Sequence, residues 1–183
     1  MMNKLKFICF YILSSILCSN SISSECFDSL YFSNKNVLDN RFFSIRAFLN
    51  HSNNDSLFIV IEKNKRFKVL FNSKILIGDN SKFLNFDNKT KQLFIDNPDT
   101  SLNKWLLFEN NHLFFEYFKN KNYYNPLIFT NSNCSNVDSI KLNFNNSKIN
   151  LYNIILDSIY IVKPDSFFNL NIDQNKVFIY DFR

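Results

Sequence analysis

The stretch FIVIEKNKRFKVLF, residues 58–71, sets an apolar run, a polar centre and a second run in which Phe67, Val69 and Phe71 sit at every other position. Period-2 spacing puts alternate side chains on one face of an extended strand, so the segment reads as two strands joined by a tight turn. The same plan recurs in FLNFDNKTKQLFID (83–96), WLLFENNHLFFEYF (105–118), LNFNNSKINLYN (142–153) and NLNIDQNKVFIYDF (169–182). After residue 40 no stretch of ten or more residues keeps a clean 3.6 period, and an all-β chain follows. The chain holds 31 Asn and 1 Gly. Tight hairpin turns need a left-handed residue, and Asn tolerates that conformation, so Asn is expected to stand where glycine is missing.

A chain of 183 residues with 46% hydrophobic and 17% aromatic residues buries enough apolar surface to offset its ordering entropy, in one domain rather than two. The apolar pairs Leu84/Phe86, Leu127/Phe129 and Leu170/Ile172 stand 43 residues apart, with other hairpins between them. Three hairpin pairs closed about a pseudo-threefold axis leave no exposed edges, which predicts a β-trefoil of three repeats of about 43 residues over 41–183. The alternative is an open sandwich or a propeller fragment with ordinary strand spacing.

Residues 1–23 have the anatomy of a signal peptide: Lys4 and Lys6, an apolar run from Phe7 to Cys18, then Ser21-Ile22-Ser23 as a cleavage site. That run is shorter than the ~20 residues a membrane helix needs, and no later run approaches that length, so no stable span is expected in the mature chain. A retained N-terminal helix is the alternative. Residues 24–40 then form an N-terminal extension, and a secreted, extracellular location follows. Cleavage leaves Cys26 and Cys134. In an oxidising compartment one disulfide between them is expected, closing a loop of about 107 residues; two unpaired thiols are the alternative. Five sequons, at Asn50, Asn54, Asn88, Asn133 and Asn145, are close to the chance number for so much Asn, Ser and Thr.

The formal charge of +5 falls to +3 once Lys4 and Lys6 are removed. Basic residues cluster only in Lys63-Asn64-Lys65-Arg66-Phe67-Lys68, read as a solvated hairpin turn, with a polyanion patch as the alternative. Nucleic acid is not an expected partner, because aromatics elsewhere alternate with Asn rather than Arg.

Residues 82–115 resemble a ricin B-type lectin repeat. Phe83-Leu84-Asn85-Phe86 stands for the first strand and Gln92-Leu93-Phe94 for the second; a polar loop from Asp96 to Ser101 leads to Asn103-Lys104-Trp105-Leu106-Leu107-Phe108, where the family carries Gln-x-Trp. The segments Leu57–Val60 and Ser139–Leu142 occupy equivalent places without Trp. The resemblance implies non-catalytic carbohydrate binding: Phe94 as the ring that stacks on a sugar, Asn85 at the family's acidic position, and Asn103 as the amide near the motif, beside Leu102. Asp87 and Asp96 could supply the missing carboxylate. Trp105 is read as core, as in the family. A glycan or glycoprotein is the implied ligand, and no cofactor is implied. The alternative is a secreted protein-interaction or wall/coat structural protein on the same scaffold without sugar sites.

Enzymatic constellations are scarce, so no catalytic residues and no metal ligands are assigned. The two histidines, His51 and His112, lie far apart in polar turns with no cysteine pair at ligand spacing. Gly78 alone builds no phosphate loop, and the single same-segment acid pair, Glu109 and Glu116, reads as a turn acid and a strand-face acid.

Overall fold

The computed structural model describes residue 29 and residues 33–49, 52–98, 127–144 and 147–183. Within these the chain is all-β, with ten strands in one sheet: β1 (Phe42–Leu49), β2 (Ser52–Glu62), β3 (Arg66–Phe71), β4 (Lys74–Asp79), β5 (Phe83–Asp87), β6 (Gln92–Asp96), β7 (Leu127–Thr130), β8 (Val137–Phe144), β9 (Ser147–Ser158) and β10 (Phe178–Asp181). The strand order is β10-β6-β5-β4-β3-β2-β1-β9-β8-β7. Every pairing is antiparallel except that of β10 with β6.

Asn takes the turn positions for which glycine is the usual choice. Asn64, between β2 and β3, has φ 60°, and Asn72, between β3 and β4, has φ 51°. The turn between β5 and β6 uses Lys91 at φ 55° instead. Each short turn returns the chain beside the strand just made, so β1 to β6 form a continuous meander. The trefoil expectation is not confirmed: among the described residues the strands lie in one ladder and not in three hairpin pairs. The hairpins at 58–71, 83–96 and 142–153 are present as β2–β3, β5–β6 and β8–β9. Between the first two, however, β4 pairs with both neighbours and extends the ladder. The 43-residue pairs accordingly fall in unlike places. Leu84 and Phe86 lie in β5, Leu127 and Phe129 in β7 at one end of the sheet, and Leu170 and Ile172 in an irregular segment packed on its face. The segment 105–118, with Trp105, lies outside the described residues.

One sheet face carries Phe43, Ile45, Ala47, Leu57, Ile59, Ile61, Phe67, Val69, Leu76 and Phe83, all at most 1% exposed. The register brings Phe67 opposite Gly78 and Gly78 opposite Phe83. The Phe67 ring lies over the glycine, where a Cβ would collide with it, and packs against Phe83 at 6.3 Å between centroids. The chain's one glycine is therefore a slot for an aromatic ring, required by close approach.

The opposite face is crossed by residues 159–177, which run from the end of β9 over the sheet to β10. Ile159, Ile161, Phe167 and Phe168 pack with Phe42, Phe58 and Val60. Leu170, Ile172 and Val177 pack against Ile77, Leu84, Phe86 and Leu93. A short helix, Pro164–Phe168, sits over β3, where Lys68 Nζ donates to Phe167 O at 2.6 Å. Residues 33–38, in the N-terminal extension, are helical and dock on both halves of the chain. Asn34 Nδ2 donates to Ser135 O at 3.2 Å, and Lys63 Nζ donates to Leu38 O at 3.2 Å.

Candidate functional site

Alternation along β5, β6 and β10 decides which side chains meet. The register aligns Asn85 with Phe94 and Phe94 with Tyr180, so these three form a row across one face. Asn85 lies at the inner end of that row and is 5% exposed. A side chain so placed does not reach a ligand arriving from solvent.

Phe94 is half-buried, and its ring is already engaged. It stacks on Tyr180 at 5.0 Å with planes 14° apart, and lies 6.4 Å from the Phe182 ring with planes 5° apart. The sequence assigns Phe94 a single stacking role, whereas the structure makes it the inner member of an aromatic cluster. Phe178, Tyr180 and Phe182 are spaced by two, which in a strand sends all three to the face that Phe94 occupies. They are 68%, 41% and 60% exposed. The hairpin expected over 169–182 does not form: its first half is irregular and its second half is the single strand β10, paired with β6. The signal for these three rings was present in Phe178-Ile179-Tyr180-Asp181-Phe182, with an aromatic at every other position.

Asp87 is a turn residue. Its Oδ1 accepts from Lys89 N at 2.9 Å, from Thr90 N at 3.4 Å and from Ser73 Oγ at 3.0 Å, and Lys74 Nζ lies 3.9 Å from Oδ2. Burial raises the carboxyl pKa, but these bonds and the Lys74 charge outweigh it and hold the group below its ordinary value. Asp87 is thereby committed to closing the β5–β6 turn. Gln92, beside it in register, accepts from Thr90 Oγ1 at 3.2 Å and lies opposite Phe178. Asp96 is half-buried opposite Phe83. Asn103 and Cys26 lie outside the described residues, as do His51, His112, Glu109 and Glu116. Cys134 lies in the loop between β7 and β8, with φ 51°.

A second polar cluster lies on the face crossed by the C-terminal segment. Glu62 ends β2 with its side chain 2% exposed. Arg41 donates to its Oε1 from Nη2 at 2.7 Å, and Arg66 donates to its Oε2 from Nε at 2.7 Å. Lys65 Nζ stands 3.9 Å away. Arg66 also lies over the Phe168 ring at 4.7 Å and donates from Nη2 to Asp165. The basic stretch 63–68 does turn the chain, but the Arg66 side chain is only 12% exposed and works as a structural clamp. Burial raises the Glu62 pKa, yet the two arginine hydrogen bonds and the charges of Arg66 and Lys65 outweigh it, so the carboxyl is held below its ordinary value. A carboxylate locked into its ionised form by two guanidinium groups is a poor proton donor.

Among the described residues no group of three or more His, Cys, Asp or Glu side chains is placed to hold a metal ion, and no helix is long and apolar enough to cross a membrane. The aromatic row at the β6–β10 edge is the feature best suited to meeting a ligand. A scan of protein-family models finds no match to this chain, and a search of curated proteins finds none either.

Proposed function

We propose that this chain is a secreted, non-catalytic carbohydrate-binding protein whose sugar-contacting surface is the aromatic edge formed by Phe94, Phe178, Tyr180 and Phe182. The observation that carries the proposal is the exposure of Phe178, Tyr180 and Phe182 on the face of β10 that continues from Phe94. Pyranose rings present patches of C–H groups that stack on aromatic faces, while their hydroxyls need planar amide or carboxylate partners. Exposed rings supply the first requirement, and the Gln92 amide, opposite Phe178, supplies the second. The proposal moves the site outward from Asn85 and Asp87 to the edge strand, and it does not depend on threefold symmetry. Binding through one shallow, open surface is expected to be weak per site.

Secretion is part of this proposal and rests on the basic, then apolar, then small-residue order of residues 1–23. With it comes a Cys26–Cys134 disulfide. Its support is the docking of the chain just beyond Cys26 on the loop that carries Cys134: Ser29 Oγ donates to Asn133 O at 3.4 Å, and Asn34 Nδ2 donates to Ser135 O.

The test is a glycan-array screen of the mature chain, residues 24–183, beside Tyr180→Ala and Phe182→Ala, with circular dichroism to establish that all three are folded. Selective glycan binding by the parent chain, lost in both variants, is the expected result. A folded parent chain that retains no glycan, or binding that survives both substitutions, overturns the proposal.

A further inference from the structure

We infer that two copies of this chain pair edge to edge through β10, antiparallel about a twofold axis at Tyr180. Among the described residues β10 ends the sheet and pairs only with β6. Phe178 N donates to Lys91 O and Phe182 N to Ile95 O, both at 2.9 Å. In a parallel ladder alternate residues turn their backbone groups to the neighbour, so 178, 180 and 182 face β6. The N–H and C=O groups of Ile179 and Asp181 then point away from the sheet.

Sheet edges are normally blunted by lysine, proline, a bulge or an unpaired charge. At the other end of the described sheet such a device is present, because the β7 register slips between Phe129 and Thr130. β10 has no lysine, no proline and no register shift, and all four of its residues are exposed. Its one charge, Asp181, is neutralised within the chain by Arg183, which donates to it from Nε at 2.9 Å and from Nη2 at 2.7 Å.

The occupant follows from the sequence of the edge. Phe178-Ile179-Tyr180-Asp181-Phe182 is symmetric in its aromatic positions about Tyr180. Antiparallel pairing about that residue sets Tyr180 opposite Tyr180 of the second copy and Phe178 opposite its Phe182. It also sets Ile179 opposite Asp181, and these are the residues whose backbone groups are free to exchange both bonds of a hydrogen-bonded pair. Other registers are worse. Centring on Asp181 faces two carboxylates, and centring on Ile179 places Phe182 opposite Lys176. Cross-strand aromatic pairs are among the stabilising contacts between antiparallel strands. The proposed register makes the most of them, and it joins the two aromatic edges into one continuous surface. An interface confined to one strand per copy is smaller than the usual stable contact, so association in the roughly micromolar range is expected. The inference is independent of sugar binding and is tested without it.

Sedimentation velocity of the mature chain from about 1 to 200 μM is expected to show a monomer–dimer equilibrium. Ile179→Lys, which places a charge on the free edge without touching the β6 ladder, is expected to shift the midpoint at least tenfold toward monomer at unchanged circular dichroism. Tyr180→Cys is expected to give a disulfide-linked dimer on mild oxidation, because a residue facing itself across a non-hydrogen-bonded pair has Cα atoms within disulfide range. Phe178→Cys, which faces Phe182, is expected to cross-link far less. A parent chain that stays monomeric at 200 μM overturns the inference, as does a dimer that neither responds to Ile179→Lys nor cross-links selectively through position 180.

Discussion

Arg66 Nη2 lies 2.6 Å from Asp165 Oδ1, joining two residues 99 positions apart in the chain. Through its Nε the same guanidinium holds Glu62, so one side chain fastens the C-terminal crossing segment to the hairpin of β2 and β3. The two carboxylates contribute unequally, because Glu62 is 2% exposed and Asp165 is 85% exposed. Arg66→Ala leaves Glu62 buried with Arg41 as its one remaining hydrogen-bonded partner and strips the cation from the Phe168 ring, a loss of about 2–4 kcal/mol. Asp165→Asn removes a solvent-screened contact and is expected to have a far smaller effect. Urea denaturation of both variants checks the ranking, which fails if Asp165→Asn costs as much as Arg66→Ala.

Glu62 also sets how stability responds to acid. Its folded-state pKa lies below the ordinary 4.5 because the arginine bonds outweigh the burial that opposes them. A depressed carboxyl contributes stability that is complete above the unfolded pKa and is lost as pH falls through the folded one. The urea midpoint is therefore expected to drop between about pH 5 and pH 3, and to drop less steeply in Glu62→Gln. Asp79 and Asp87 are depressed in the same direction, so part of the slope survives in that variant. Parallel curves for parent and variant would show that Glu62 carries none of it.

Gly78 owes its identity to the ring above it. A methyl group there meets Phe67, which is itself fully buried between β2 and β4. Gly78→Ala is expected to cost about 1–3 kcal/mol by overpacking, and more if the ring cannot shift. Phe67→Leu opens the slot, so the double variant should lose less than the sum of the two single ones. Strict additivity in thermal or urea unfolding would refute the slot.

How much of this was legible beforehand can be read residue by residue. Apolar alternation placed β2–β3, β5–β6 and β8–β9 correctly, and the Asn excess announced Asn64 and Asn72, since both are local effects of side-chain period and backbone sterics. The trefoil expectation went further than local pattern allows. The 43-residue steps from Leu84 to Leu127 to Leu170 carried no information on which strand each residue would pair with, and Leu170 packs on the sheet face outside any strand. The surroundings of Phe94 were hidden for the same reason. That Phe94 would be stacked by Tyr180 depends on a parallel contact made after the chain has crossed the sheet, and no spacing within 83–96 encodes it.

Ser44 tests how well the sheet's interior is satisfied. It lies in β1 opposite Val60 and Asp157, is fully buried, and its hydroxyl has no hydrogen-bond partner. A buried hydroxyl left without a partner costs about 1–3 kcal/mol of desolvation, and removing it returns part of that cost without opening a large cavity. Ser44→Ala is therefore expected to raise stability by about 1 kcal/mol, against the general tendency of core substitutions to lower it. Ser44→Cys replaces the hydroxyl by a weaker, slightly larger donor and should fall between the two. A loss of stability in Ser44→Ala would mean that the hydroxyl is bonded in solution, most simply through a buried water.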